Sequence, residues 1–482
     1  MTVSTQTQNQ NSSTTDSQDG LIRLSEVIAS LSYALDITEG QPQGHAARTC
    51  VIGMRIAQQI DLPAIDQSAL FYGLLLKDLG CSSNAAKMCY LFGADDRTVK
   101  HDIKTLDWPK RSASMKFVRN AVAPGAGSLE KLMKIVSMAL QGPSGPKKLV
   151  ETRCERGAHI ARQLGFTSQT ATAIHQLDEH WNGKGHPQGL KGEEISPIAR
   201  IMGLAQTVEV FYSQQGLKAA LDIAQERKGR WFEPALVDAL FALKDDHEFW
   251  RAVSAPNPDR LVSKYEPPDE LMHADEDQFD KIAEAFASVV DAKSPWTSRH
   301  SMGVSEIAVG IGEVLGHSRE ELRVIRRMGL LHDVGKLGVS NTVLDKPGKL
   351  TDDEFAQMKK HTFHTQQILS RVHSLGDQAD LAAAHHEKLN GRGYHLGIES
   401  GTLPQSARLL AVADIFEALS AKRPYRDGMP IEKIKSIMGG DAGTAICADS
   451  YAAMLTWLER GRFSNRMEKQ LEAIDALLSQ LD

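Results

Sequence analysis

No run of apolar residues in this sequence approaches the roughly 20 needed to span a bilayer. The N-terminus also lacks the basic and apolar regions of an export signal, so a cytoplasmic protein is expected. Cysteine is scarce: Cys50, Cys81, Cys89, Cys154 and Cys447 are the five present, and none lies in a CxxC or other zinc spacing. An odd, scattered set reads as reduced thiols rather than a disulfide framework. Positive charge is not in excess either. The formal net charge of -6 argues against a general binder of DNA, RNA or membranes. Strand-like alternation is rare, which leaves all-α as the expected fold class.

The composition that remains, 41% hydrophobic and 24% charged, is ordinary for a soluble globular protein. At 482 residues the chain exceeds one ordinary core. Residues 1–20 are mostly Ser, Thr, Gln, Asn and Asp, and are expected to form a disordered tail. From Leu21 onward apolar residues recur at helical spacing, as in Leu24, Ile28, Leu31 and Leu35. The stretch 253–270 contains Pro256, Pro258, Pro267 and Pro268 and reads as a linker. Two tandem helical bundles are therefore expected, at 21–252 and 271–482. Met467, Leu471, Ile474, Leu478 and Leu481 add a C-terminal apolar stripe, expected to pack on its own domain.

The two halves resemble each other. Asn182-Gly183-Lys184-Gly185 aligns without gaps with Asn390-Gly391-Arg392-Gly393, and the register continues through Arg200 and Arg408 to Glu209 and Glu417. Upstream, Leu75-Leu76-Lys77-Asp78-Leu79-Gly80 matches Leu330-Leu331-His332-Asp333-Val334-Gly335, and with that offset His45 falls opposite His300. Ordered matches in both regions indicate a duplication.

The second half carries His300, His332-Asp333, His361, His385-His386 and Asp414, in that order. Any one of these alone reads as an ordinary surface or core residue. Their settings change that reading. His332-Asp333 ends the apolar run Met328-Gly329-Leu330-Leu331, and Asp414 ends Leu409-Leu410-Ala411-Val412-Ala413. Histidine and aspartate are seldom buried without a partner or a metal. Adjacent His385 and His386 diverge by roughly 100° on a helix, so both reach one site only if it is broad. A two-metal cluster, with ions about 3.5–4 Å apart, is that broad. Imidazole and carboxylate without thiolate suit iron or manganese better than structural zinc.

At this point the half resembles the HD-GYP domains of the HD phosphohydrolase superfamily. The motifs are His332-Asp333-Val334-Gly335-Lys336, Asn341 through Leu350, Met358-Lys359-Lys360-His361 and His385-His386-Glu387. They continue with Gly391-Arg392-Gly393-Tyr394, Val412 through Leu419, and Arg423-Pro424-Tyr425-Arg426, covering about 275–460. The resemblance implies an all-α bundle that hydrolyses a cyclic dinucleotide, chiefly cyclic di-GMP, using two divalent metal ions, with iron or manganese preferred to zinc, nickel or magnesium. It places His300, His332, Asp333, His361, His385, His386 and Asp414 on metal-ligand positions, with Asp333 bridging. Lys336 matches a lysine on the scissile phosphate, and Tyr394, Arg423 and Arg426 match positions that hold bases and phosphates. Arg408 reads as structural, since Arg200 stands at the same place in the first half.

Three positions depart from the family pattern. Trp296 stands where some members carry a third-metal glutamate, Asn390 replaces an aspartate, and His395 replaces a proline, which frees the backbone there and adds a titratable group. These changes weaken the case for cyclic di-GMP and leave a mixed cyclic GMP-AMP dinucleotide, another nucleotide phosphoester, or a catalytically silent receptor as alternatives. In the first half Lys77 replaces the motif histidine, Cys81 the lysine, Leu177 and Asp178 the histidine pair, and Gln206 the second aspartate. His45 and Asp78 alone are too few for a binuclear centre, so this half is expected to be a degenerate copy with a regulatory or dimerising role, a homodimer being one expected assembly. The second half, 271–482, is expected to retain some hydrolysis by itself.

Overall fold

The computed structural model describes residues 22–461, apart from 108–109, 141–143, 256–258, 268–272, 298, 373–374, 399–400 and 422–426. The tail 1–20, the C-terminal stripe from Met467 to Leu481, and Arg423 and Arg426 lie outside the described residues.

The chain is helical, as its periodicity predicts. The first copy is built from α1 (Leu24–Thr38), α2 (His45–Gln59), α3 (Ala64–Leu76), α4 (Asp96–Lys104), α5 (Ser144–Gln163), α6 (Ser168–His175) and α7 (Pro197–Gln215). The second is built from α8 (Glu276–Asp291), α9 (His300–Leu315), α10 (Arg319–Leu331), α11 (Asp352–Leu369), α12 (Gln378–Ala383) and α13 (Gln405–Ser420). Apart from α4 these correspond in order, α1 with α8 and α7 with α13. A two-stranded antiparallel ribbon pairs Ile22–Arg23 with His273–Ala274, tying the start of one copy to the start of the other. Among the described residues no helix is long and apolar enough to cross a membrane.

Local sequence fixes the ends of the site-bearing helices. Ser318 and Glu321 form a capping box at the start of α10, and Thr351 and Glu354 form one at the start of α11. Three acids in the first turn of α11 also favour its N-terminal dipole. The last turn of α10 is buried through Met328, Leu330 and Leu331, so the helix delivers His332 and Asp333 directly into the interior. Gly335 follows because nothing larger fits: a Cβ there would lie 1.9 Å from the His361 carbonyl oxygen. That contact clamps the turn after α10 onto α11 and brings His332, Asp333 and His361 together.

One apolar cluster runs from Leu24 in α1 to Trp457 and includes residues of both copies. The proline-rich stretch contributes to the packing rather than lying free. It contains a short helix, Asp259–Val262, and buried Glu266 accepts hydrogen bonds from Ser25 Oγ (2.8 Å) and Tyr72 Oη (3.4 Å). The Arg371 guanidinium sits 4.2 Å over the Tyr33 ring. Separating the copies would expose apolar surface that each now covers for the other, which bears directly on whether 271–482 folds alone.

Candidate metal centre

The seven expected ligands meet at one buried point, although they come from five segments of the second copy. Asp333 is at the centre, and its two oxygens face different neighbours. Oδ2 lies 3.2 Å from His300 Nε2 and 3.1 Å from His332 Nε2. Oδ1 lies 3.5 Å from His361 Nε2 and 3.8 Å from His385 Nε2. Asp414 divides in the same manner, with Oδ1 3.2 Å from His300 Nε2 and Oδ2 3.7 Å from His386 Nδ1. The donor atoms of His300, His332 and Asp333 fall within 4.8 Å of one another, as do those of His361, His385 and His386. These are two adjacent donor sets sharing Asp333.

The outward nitrogens fix the rings. His332 Nδ1 bonds the Gly329 carbonyl at 2.8 Å, His361 Nδ1 that of Met358 at 2.7 Å, and His385 Nδ1 that of Ala382 at 2.7 Å. A ring that donates through Nδ1 turns its Nε2 lone pair inward, as ligation requires. His300 is backed instead by the carboxylate of Glu417. His385 and His386 converge despite being adjacent because they sit in a 3-10 turn, Ala384–His386, with ring centroids 4.2 Å apart.

Whether these residues suit metal ions can be judged from atoms left without protein partners. His332 Nε2 and Asp333 Oδ1 are both buried and hydrogen-bonded to nothing. Orphaned buried atoms of this type are rare, and one facing each donor set fits a cation in each. Charge points the same way. Burial presses the His361 pKa down to about 3 and holds those of His385 and His386 below the usual histidine range, so these rings are neutral donors. Burial opposes ionisation of Asp333, but His332 and Lys336 beside it keep its carboxyl well below the ordinary carboxylate range. Burial likewise opposes protonation of His300, yet its bonds to Asp333, Asp414 and Glu417 hold that pKa well above the usual value. Three carboxylates around one imidazole mark a place that attracts positive charge.

The expected substrate residues are partly in view. Lys336 Nζ lies 2.5 Å from Asp333 Oδ2. The Tyr394 ring packs against His386 at 4.8 Å, and burial raises its phenol pKa. Two neighbours were not singled out by sequence: exposed Phe355, 6.4 Å from the Tyr394 ring, and Lys359, whose Nζ sits 4.7 Å over Phe355 and 5.6 Å over Tyr394. Glu387 also has an unanticipated role, accepting the backbone N–H groups of Leu396, Gly397 and Ile398 and so holding the Tyr394 loop. Asn390 accepts the Arg392 N–H, His395 bonds Gln366 at 3.1 Å, and Arg408 donates to the Leu403 carbonyl, the structural position expected of it. Trp296 lines a groove of about 550 Å³ with Leu344, Lys346, Pro347 and Gly348.

The corresponding point of the first copy is filled by protein cations. A Cβ on Gly80 would lie 1.9 Å from the Arg153 carbonyl, which identifies Arg153 as the counterpart of His361. Arg153 pairs with Asp178, and Lys77 pairs with Asp78. Lys104 reaches Asp78 at 3.4 Å and Glu39 at 3.2 Å. His180 stacks on Trp231.

Comparison with known proteins agrees with this geometry. The HD domain family model matches residues 142–236 and 284–445, once in each half. The 3'3'-cGAMP-specific phosphodiesterase 3 of Vibrio cholerae serotype O1 is 41% identical over 435 residues, covering 89% of this chain and 94% of that protein. The cyclic di-GMP phosphodiesterase response regulator RpfG of Xanthomonas campestris pv. campestris is 34% identical over 186 residues, 37% of this chain and 49% of that one. A crystal structure of a cyclic GMP-AMP-specific phosphodiesterase from V. cholerae superposes with a TM-score of 0.64 at 37% identity, covering 91% of this chain and 98% of that chain. The chain belongs to the HD-GYP family of HD-domain phosphohydrolases.

Proposed function

We propose that this chain is a cyclic dinucleotide phosphodiesterase that hydrolyses 3'3'-cGAMP to a linear product, with two divalent ions, iron or manganese, held by the seven ligands. The observation behind the metal chemistry is the split of the Asp333 oxygens between two donor sets. When bound, such ions supply Lewis acidity and a water acidified towards neutral pH. The chain's own groups do the rest. Lys336 is placed to hold the scissile phosphate and balance charge that develops there. Tyr394 and Phe355 offer faces on which purines stack, and Lys359 adds a cation beside them. Arg423 and Arg426 keep their assignment to bases and phosphates.

The choice of dinucleotide differs from the first expectation, cyclic di-GMP. It is supported by the 41% identity across nearly the whole of a relative described as 3'3'-cGAMP-specific, and by Asn390 and His395, which depart from the motif pattern in the loop beside Tyr394. A silent receptor has no use for a complete, inward-facing donor set.

The test offers 3'3'-cGAMP, cyclic di-GMP and cyclic di-AMP to protein loaded with Mn²⁺ or Fe²⁺, with products separated by chromatography. Expected is linear GMP-AMP, with kcat/KM at least about tenfold above that for cyclic di-GMP, a difference of about 1.4 kcal/mol. Metal-loaded protein that hydrolyses none of the three sinks the proposal, and equal rates on all three sink the substrate choice.

A further inference from the structure

Among the described residues helix α4 has no counterpart in the second copy. Between the Gly80 turn and α5 the first copy inserts it within a longer helical excursion that lies outside the family match, whereas between Gly335 and α11 the second copy has only the short helix Asn341–Leu344. The excursion has its own small core, including Met88, Leu91, Phe92 and Val99.

The two ends of α4 reach different sites. At its C-terminal end Lys104 bonds Asp78 and Glu39, and Lys100 donates to the Cys81 carbonyl at 2.9 Å, so this end occupies the degenerate site. Its N-terminal end grips the second copy. Asp96, fully buried, accepts the backbone N–H of Asn341 at 3.1 Å. Its other oxygen lies 3.7 Å from Lys293 Nζ and 3.5 Å from Lys100 Nζ. Lys293, also buried, donates to the Leu337 carbonyl at 3.0 Å, and Arg97 donates to the Gly338 carbonyl at 2.6 Å. Leu337 and Gly338 end the 3-10 helix Val334–Gly338, which starts directly after Asp333 and contains Lys336.

Main-chain groups at the end of a short 3-10 helix have no partner within it, and buried they need one. Here the partners for Gly338 and Asn341 come from the other copy, and the partner for Leu337 is a lysine held by that copy's Asp96. We propose that Asp96 and Arg97 are positioning residues for the metal centre, so that the inactive copy fixes the turn that aims Asp333 and Lys336. The inference rests on the metal-dependent reading above. It gives the degenerate copy a task that needs neither metal nor substrate of its own, and it explains why the insertion occurs in the copy that has lost its ligands: Lys104 and Lys100 anchor α4 where ions would otherwise stand.

The experiment compares Asp96→Ala, Asp96→Asn and Arg97→Ala with Asp102→Ala, an exposed position on the same helix, in the full chain. Two quantities are read: Mn²⁺ affinity by electron paramagnetic resonance titration without substrate, and kcat and KM on 3'3'-cGAMP. Loss of outer support typically weakens metal binding roughly 10–100-fold, and a displacement of about 1 Å at reacting groups costs about 100-fold in rate. Asp96→Ala is expected to weaken Mn²⁺ binding about tenfold and lower kcat by roughly 10–100-fold, with KM within about twofold. Asp96→Asn, which keeps an acceptor for the Asn341 N–H, should fall between it and the parent, and Asp102→Ala should match the parent. Unchanged Mn²⁺ affinity and kcat in folded Asp96→Ala and Arg97→Ala would overturn the proposal. If Asp96→Ala does not fold, Arg97→Ala, which removes the Gly338 hydrogen bond and the Asp95 ion pair of a partly exposed side chain, decides on the same two readings. If the parent binds Mn²⁺ but hydrolyses no dinucleotide, the functional reading fails while the Mn²⁺ titrations still decide this one.

Discussion

In the first copy the turn ending at Gly80 closes on Arg153, and in the second the turn ending at Gly335 closes on His361. Around this shared contact most of the frame is retained. Asp36 accepts the Ala46 N–H where Asp291 accepts that of Ser301, and His45 pairs with Glu209 where His300 pairs with Glu417. Glu179 accepts three consecutive backbone N–H groups, as Glu387 does. The difference is the source of positive charge. The first copy neutralises Asp78, Glu39 and Asp178 with Lys77, Lys104 and Arg153, all built into the chain. The second copy lines its carboxylates with imidazoles, neutral at His361, His385 and His386, and leaves the remaining positive charge to come from outside. A carboxylate cluster this deep does not persist uncompensated, so losing the metals and gaining the lysines and arginine are two parts of one change.

The sharpest way to break this comparison is to remove the central aspartate of each copy. Asp333→Ala should abolish hydrolysis and metal loading together; a metal-free Asp333→Ala protein with full turnover would end the assignment. Asp78→Ala should leave bound metal per chain unchanged but cost roughly 3–5 kcal/mol of stability, because Lys77 and Lys104 lose a buried partner. Metal analysis and urea unfolding of both variants give the answer. The carboxylates that back the first histidine of each copy separate in the same way. Glu417→Gln should weaken metal affinity by roughly 10–100-fold, whereas Glu209→Gln, which disturbs His45, Arg48 and Ser213, should change unfolding and not metal binding. Equal metal affinities in the two variants would count against a centre confined to the second copy. Chelation supplies a smaller effect: at a free metal concentration 100 times Kd, ligation adds about 2.7 kcal/mol. Stripping should therefore lower the melting temperature of the parent and leave that of Asp333→Ala where it is.

Three of the seven candidate ligands were legible because each stands where chemistry conflicts with pattern. His332-Asp333 and Asp414 are polar residues at the ends of apolar runs, and burial without a reason is costly. The roles of Glu417 and Glu387 were not legible, since a glutamate within or after a helix gives no signal until its partner is known. Arg153 was missed even though the register that sets Asn182 opposite Asn390 also sets it opposite His361, and the carbonyl facing Gly80 agrees with that pairing. The prolines of 253–270 read as a linker, and apolar spacing reports that a face is buried and not what covers it. In the fold, α1 and Glu266 belong to packing that both copies share. The contact of Asp96 with Asn341 joins residues far apart in the chain, and no periodicity encodes it.

The finest comparison concerns the matched aspartates that cap the first histidine helices. Burial raises the pKa of both Asp36 and Asp291 to about 7, against their hydrogen bonds and nearby positive groups. A carboxyl whose folded pKa lies above its unfolded value keeps its proton when folded and loses it on unfolding. Its contribution is therefore complete below pH 4 and is lost as pH rises towards 7, at up to about 1.4 kcal/mol per pH unit. Asp36→Asn keeps the shape and an acceptor for the Ala46 N–H, and cannot ionise. Urea midpoints measured from pH 4.5 to 7.5 should show the variant gaining on the parent steadily as pH rises. If the two midpoints stay a constant distance apart across that range, Asp36 is already ionised in the folded chain. The resemblance between the capping aspartates would then be one of geometry alone.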